Sequence, residues 1–117
     1  MRNARLVPML MVLLAAPAAI SAADLTGKWT IDGDVQGNPV NMECTVTQAA
    51  DAKITGKCLL NGSEQTEIEG AAKEANFKFS FTVQGYTLTY TGTLEGDTIS
   101  GDIDVAGTTG KFNGKRS

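Results

Sequence analysis

From residue 28 onward, apolar and polar residues alternate through most of the chain, from Lys28-Trp29-Thr30-Ile31 to Lys111-Phe112-Asn113-Gly114. A period of two is the mark of a strand with one face buried and one in water. The alternation predicts eight short strands, over 27–33, 40–48, 53–60, 64–70, 77–84, 87–95, 98–106 and 109–116. No segment in this region carries a helical period. Gly85, Gly96 and Gly107 recur between the later strands. Each is read as the first residue of a two-residue turn, Gly85-Tyr86, Gly96-Asp97 and Gly107-Thr108, because glycine reaches positive φ without strain.

These turn centres predict a register. Leu94 faces Ile99, Gly92 faces Gly101 and Tyr90 faces Ile103 across the Gly96-Asp97 turn. Across Gly107-Thr108, Ile103 faces Phe112 and Ile99 faces Arg116; across Gly85-Tyr86, Phe81 faces Tyr90 and Phe79 faces Gly92. One inner row then reads Phe81, Tyr90, Ile103, Phe112, and a second reads Phe79, Gly92, Gly101, Gly114. Glycine on the inner face lets a sheet coil tightly, as a small closed barrel requires. Asn61-Gly62-Ser63 is expected as a three-residue hairpin loop that sets Gly56 opposite Ile68. Residues 71–76 are expected as a longer polar link, and residues 33–39 as the longest loop. The fold class is therefore all-β: a small eight-stranded antiparallel up-and-down barrel whose last strand pairs with its first.

Cys44 and Cys58 fall on the inner face at equal distances from Asp51, so they are expected as cross-strand neighbours joined by one disulfide. The first 23 residues point to the same oxidising surroundings. Arg2 and Arg5, an apolar stretch from Leu6 to Ile20, and Ser21-Ala22-Ala23 have the layout of a secretory signal peptide. The expected division is 1–23 signal peptide and 24–117 a single barrel domain, periplasmic or secreted, without a membrane span after cleavage. Removing Arg2 and Arg5 leaves eight basic against thirteen acidic residues. The charges are interspersed, with no basic stripe for nucleic acid.

Candidate chemistry is sparse. The chain has no histidine, which removes the commonest general base and metal ligand. The serines lie at turns, on the outer face or at the terminus, and the pairs Glu67/Glu69 and Asp102/Asp104 point outward. Asp32-Gly33-Asp34 lacks the ligand spacing of a calcium loop. Asn61-Gly62-Ser63 matches a glycosylation acceptor but equally a hairpin, and the stripe Thr87, Thr89, Thr91, Thr93 suits an exposed strand. The expectation is a non-enzyme without cofactor or metal.

The opening Leu25-Thr26-Gly27-Lys28-Trp29 resembles the Gly-x-Trp start of the calycins, the superfamily of lipocalins, fatty-acid-binding proteins and avidins. The resemblance implies that Trp29 packs against Arg116 of the last strand to close one end of the barrel, with residues 33–39 at the open end. The chain is shorter than lipocalins and carries no helix after the barrel. Leu25, Gly27, Trp29, Cys44 and Cys58 also resemble bacterial periplasmic inhibitors of serralysin-type metalloproteases. Those inhibitors insert a segment ahead of the barrel into the protease, and the expected cleavage leaves almost nothing ahead of Leu25.

Two functions follow as expectations. The first is an exported binding barrel that takes a small apolar ligand in or at its mouth, lined by Met42, Leu60, Phe81, Val83, Leu88, Tyr90 and Phe112, with the Tyr90 hydroxyl orienting the ligand. The same seven residues equally suit a packed core. The alternative is a module that binds a secreted protein partner, such as a protease or lysozyme inhibitor, through its loop ends.

Overall fold

A computed structural model of the chain describes residues 24–117; the expected signal segment 1–23 lies outside the described residues. Eight strands follow one another as β1 (Gly27–Val35), β2 (Asn38–Gln48), β3 (Lys53–Leu60), β4 (Glu64–Lys73), β5 (Asn76–Val83), β6 (Tyr86–Glu95), β7 (Thr98–Val105) and β8 (Thr108–Arg116). Each pairs antiparallel with the next, and β8 pairs with β1, so the sheet closes into a barrel. Among the described residues there is no helix.

Closure requires the strands to tilt and the register to stagger. Traced once around the barrel, the pairings return to β1 displaced by about ten residues, a stagger that goes with strongly tilted strands. One paired row shows the tilt. It climbs from Leu94 through Ile99, Gly114, Ile31 and Met42 to Leu60, from one end of the barrel to the other.

Three hairpins keep the register that the sequence implies. Leu94 pairs with Ile99, Gly56 with Ile68, and Cys44 with Cys58. Cys44 and Cys58 form the disulfide, with their Cα atoms 4.0 Å apart.

Two other hairpins differ from expectation by two residues. Their turns are Gln84-Gly85 and Ala106-Gly107, not Gly85-Tyr86 and Gly107-Thr108. Gln84 and Ala106 stand at φ 52° and 51°, and the glycines that follow at 82° and 85°. Both central residues are left-handed, which is the type I′ geometry whose twist matches the flanking strands, so glycine takes the second place. A shift of two preserves the face of every side chain and changes its partner. Phe81 therefore pairs with Leu88, Phe79 with Tyr90 and Phe77 with Gly92. Ile103 pairs with Gly110, Gly101 with Phe112, and Ile99 with Gly114, while the partner of Arg116 is Trp29. The row Phe81, Tyr90, Ile103, Phe112 is thus a diagonal. The straight rows are Phe79–Tyr90–Ile103–Gly110 and Phe77–Gly92–Gly101–Phe112.

The expected loop at 33–39 is a tight hairpin. Strand β1 runs to Val35, β2 starts at Asn38, and Gln36-Gly37 turns at φ 53° and 87°. The link at 71–76 likewise shortens to Glu74-Ala75, with Lys73 paired to Asn76.

The interior is filled from all strands and is apolar. Trp29, Ile31, Met42, Ile54, Ile68, Tyr90 and Ile103 have the largest fully buried side chains, and no charged residue is buried among those described. The paired glycines Gly92 and Gly101 make room for the aromatic layer. A Cβ on Gly92 would stand 2.9 Å from the Phe112 ring, and one on Gly101 would strike the Thr91 carbonyl oxygen. Phe77 stacks on Phe79 at 5.8 Å, and Phe79 on Tyr90 at 5.0 Å.

The disulfide bridges residues 14 apart. Replacing both cysteines by alanine should lower stability by about 2–4 kcal/mol, chiefly through a freer unfolded chain. Equilibrium urea unfolding of the variant checks this, and a midpoint equal to that of the native chain would refute it.

Candidate functional site

The two ends of the barrel differ in kind. One end is sealed by a network around Trp29 and Arg116. Trp29 is 2% exposed, and its indole Nε1 donates to the Leu25 carbonyl at 2.8 Å. The Arg116 guanidinium lies 4.7 Å from the centre of the indole ring, within cation–π range. It also donates to the carbonyl oxygens of Asp24 at 2.8 Å, Thr26 at 3.0 Å and Gly96 at 3.0 Å, and to the Asp97 carboxylate at 3.0 Å. Leu25 is buried beside Trp29, and its amide donates to Gln48 Oε1. Hydrogen bonds from the Thr26 side chain and amide, helped by the charge of Arg116, hold the Asp24 carboxyl below its ordinary range.

The opposite end carries the turns 36–37, 61–63, 84–85 and 106–107. Between them is a concavity of about 300 Å³. Its floor is Val35, Val40, Leu60, Val83, Leu88 and Val105, and its rim is Asn38, Asn61, Glu64, Gln84 and Tyr86. Tyr86 is 58% exposed, the one large apolar side chain so exposed among the described residues. It shares the inner face of β6 with Leu88 and Tyr90 and stands above the floor because its strand begins there. The surrounding turns are pinned. Asn61 Oδ1 accepts from the Asn41 amide at 2.9 Å, and Asn38 Nδ2 donates to the Val35 carbonyl at 3.2 Å.

One side of this mouth is less tightly knit. Strands β4 and β5 pair only from Glu69–Ser80 to Lys73–Asn76. Toward the mouth, residues 64–68 and 81–83 carry no ladder to one another. The contact that spans the gap at the rim is Gln84 Nε2 donating to Glu64 Oε1 at 3.4 Å.

Of the seven residues expected to line a ligand space, the structure brings Leu60, Val83 and Leu88 to the mouth. Met42, Phe81, Tyr90 and Phe112 lie beneath it in the buried core. Tyr90 is 0% exposed, and its ring is 4.9 Å from Phe112, 5.0 Å from Phe79 and 5.7 Å from Phe81. Its hydroxyl has no hydrogen-bond partner among the described residues, and burial raises its pKa. Sequence reasoning missed Val35, Val40, Val105 and Tyr86. For Val35 and Val40 the signal was present: they continue the inward alternation Trp29-Ile31-Gly33 and Met42-Cys44-Val46.

A wider hollow of about 420 Å³ runs along the outer face of β2–β4, walled by Thr45, Thr47, Thr55, Lys57, Glu67 and Glu69 with Gly56 and Ile68. Its side chains are mostly polar and charged, whereas the mouth has an apolar floor and converging polar groups.

No family model matches the sequence, and no curated protein matches it by sequence. Among solved structures, the fold is similar to a de novo designed fluorescence-activating β-barrel, with a TM-score of 0.60 at 12% identity over 83% of this chain and 97% of that one. It is also similar to a fatty-acid-binding protein of Echinococcus granulosus, with a TM-score of 0.51 at 10% identity over 79% of this chain and 96% of that one. At such identities the likeness is one of fold. The chain is a small closed antiparallel barrel of calycin-like architecture, stapled by one disulfide.

Removing the guanidinium that holds the sealed end should cost measurable stability. Arg116→Ala is expected to lose about 1–3 kcal/mol, and Arg116→Lys to recover only part, because lysine lacks the planar fork that reaches several acceptors at once. Thermal unfolding of the two variants checks this; native-like melting of Arg116→Ala would overturn the role assigned to it.

Proposed function

We propose that this chain is an exported, non-enzymatic binding barrel that takes a small apolar molecule at its mouth. The observation that carries the reading is the mouth itself: a concavity floored by four valines and two leucines, ringed by polar groups and overhung by exposed Tyr86. Apolar side chains left open to water beside a few directed polar groups are the usual makings of a ligand site. The two similar structures support it, since one is a fatty-acid-binding protein and the other a designed fluorescence-activating barrel.

The disulfide supports export, because such bonds persist in oxidising compartments. A reading in which the chain inhibits a secreted hydrolase through a protruding loop has little to stand on. The mouth turns number two or three residues each, and residues 33–39 form a hairpin. An enzymatic reading lacks machinery: there is no histidine, and no carboxylate is buried among the described residues.

N-phenyl-1-naphthylamine, a neutral apolar fluorophore, should brighten and shift to the blue on titration with the purified chain. Val105→Lys, at the edge of the floor, is expected to weaken that binding about ten-fold by placing a charge against the probe. Thr45→Lys, on the outer face, is expected to leave it unchanged. Absence of any fluorescence change with the native chain would sink the proposal.

A further inference from the structure

We propose that the ligand is a neutral molecule bearing a hydrogen-bond acceptor, a ketone, ester or ether oxygen, which enters through the mouth and seats that oxygen on the Tyr90 hydroxyl. This rests on the mouth-binding reading above and narrows the ligand class.

Three observations carry it. The first is the hydroxyl itself. Tyr90 is 0% exposed and its Oη has no partner among the described residues, packed against the rings of Phe79, Phe81 and Phe112. A buried donor left unpaired is costly and rare in folded proteins, so a group of this kind marks where an acceptor belongs. The second is charge. No charged residue is buried among those described, and the charged side chain that lines the mouth is the carboxylate of Glu64. An anionic head group would have to shed its water without a cation to meet it and pass Glu64 on the way. A neutral acceptor avoids both costs.

The third observation is a way in. Tyr90 is the next inward residue after Leu88 on β6, and Leu88 forms part of the mouth floor. Phe81 pairs with Leu88 across the sheet and packs on Tyr90 at 5.7 Å. Phe81 lies in the segment of β5 that has no ladder to β4. Leu88 and Phe81, which lie between the mouth floor and Tyr90 along the sheet, therefore border a stretch of wall where two strands can part without breaking a backbone ladder. Among the described residues, the side-chain hydrogen bond to release there is Gln84–Glu64, long and exposed. The apolar body of the ligand then rests on Leu60, Leu88 and Phe81.

The test uses three molecules of one chain length, decane, 2-decanone and decanoate, each displacing N-phenyl-1-naphthylamine from the full chain at neutral pH. The ketone is expected to bind about five-fold tighter than the alkane, on the scale of one net hydrogen bond, and decanoate more weakly than either. In Tyr90→Phe the ketone should fall to the level of the alkane, with alkane binding unchanged. The carbonyl stretch of isotope-labelled 2-decanone should lie lower in the native chain than in Tyr90→Phe. Ligand-free Tyr90→Phe should melt at or above the native temperature, since the variant removes an unpaired hydroxyl. Decanoate binding as tightly as the ketone would overturn the neutral class. A ketone no better than the alkane would overturn the role of Tyr90 and leave a trapped water as its partner, while binding at the mouth would still stand. If none of the three molecules displaces the probe, or the probe itself does not bind, both readings fall.

Discussion

The seam between the first and last strands is the constraint on which this fold depends. Without the pairing of β1 to β8 there would be two free edges in a sheet too small to protect them. The seam begins where Trp29 meets Arg116, and that pair does more than close the ladder. Arg116 spends its donors on the carbonyl oxygens of Asp24, Thr26 and Gly96 and on the Asp97 carboxylate, so one side chain ties the approach to β1 and the end of β8 to the β6–β7 turn. The turns at the other end carry no such network, and the apolar concavity lies there.

Closure also dictates what the interior can be. Eight strands enclose just enough width for side chains to fill. Here the space is taken by an aromatic layer that depends on the Gly92–Gly101 pair for room. No charge shares that space, and Tyr90 is left as a lone donor among rings. The floor of the mouth is therefore the top of a packed core, and a ligand that goes deeper must move Leu88 and Phe81. The incomplete β4–β5 ladder lies beside those two side chains.

Most of the fold was legible along the chain, and the reason is the period of two. A face assignment survives any register error of two residues, so the expected inner residues are inner residues even where two hairpins turn one residue earlier than supposed. The partners changed because the paired φ values of Gln84-Gly85 and Ala106-Gly107 place glycine second in the turn. Glycine by itself does not say which of the two places it fills, since both need positive φ. Asp34-Val35-Gln36-Gly37-Asn38-Pro39 is rich in turn-forming residues and reads as a loop, yet only Gln36-Gly37 turns. The β1–β2 ladder runs on through Asp34–Pro39 and Val35–Asn38 up to that turn, and the ladder to β8 supports β1 as far as Asp34.

The candidate site was half legible. Leu60, Val83 and Leu88 were recognisable as inward residues near one end, whereas Met42, Phe81, Tyr90 and Phe112 share their pattern and lie deeper. Alternation fixes which way a side chain points. How far along the barrel axis it sits depends on the stagger accumulated around the whole circle. So the sequence by itself determined the strand count, the faces, the disulfide and the absence of histidine-based chemistry. The tertiary structure alone decided which apolar residues meet water at the mouth, that β4 and β5 part beside them, and that the Tyr90 hydroxyl is left without a partner. Those properties come from closure, which sums the registers of all eight strands, and no local stretch of sequence contains that sum.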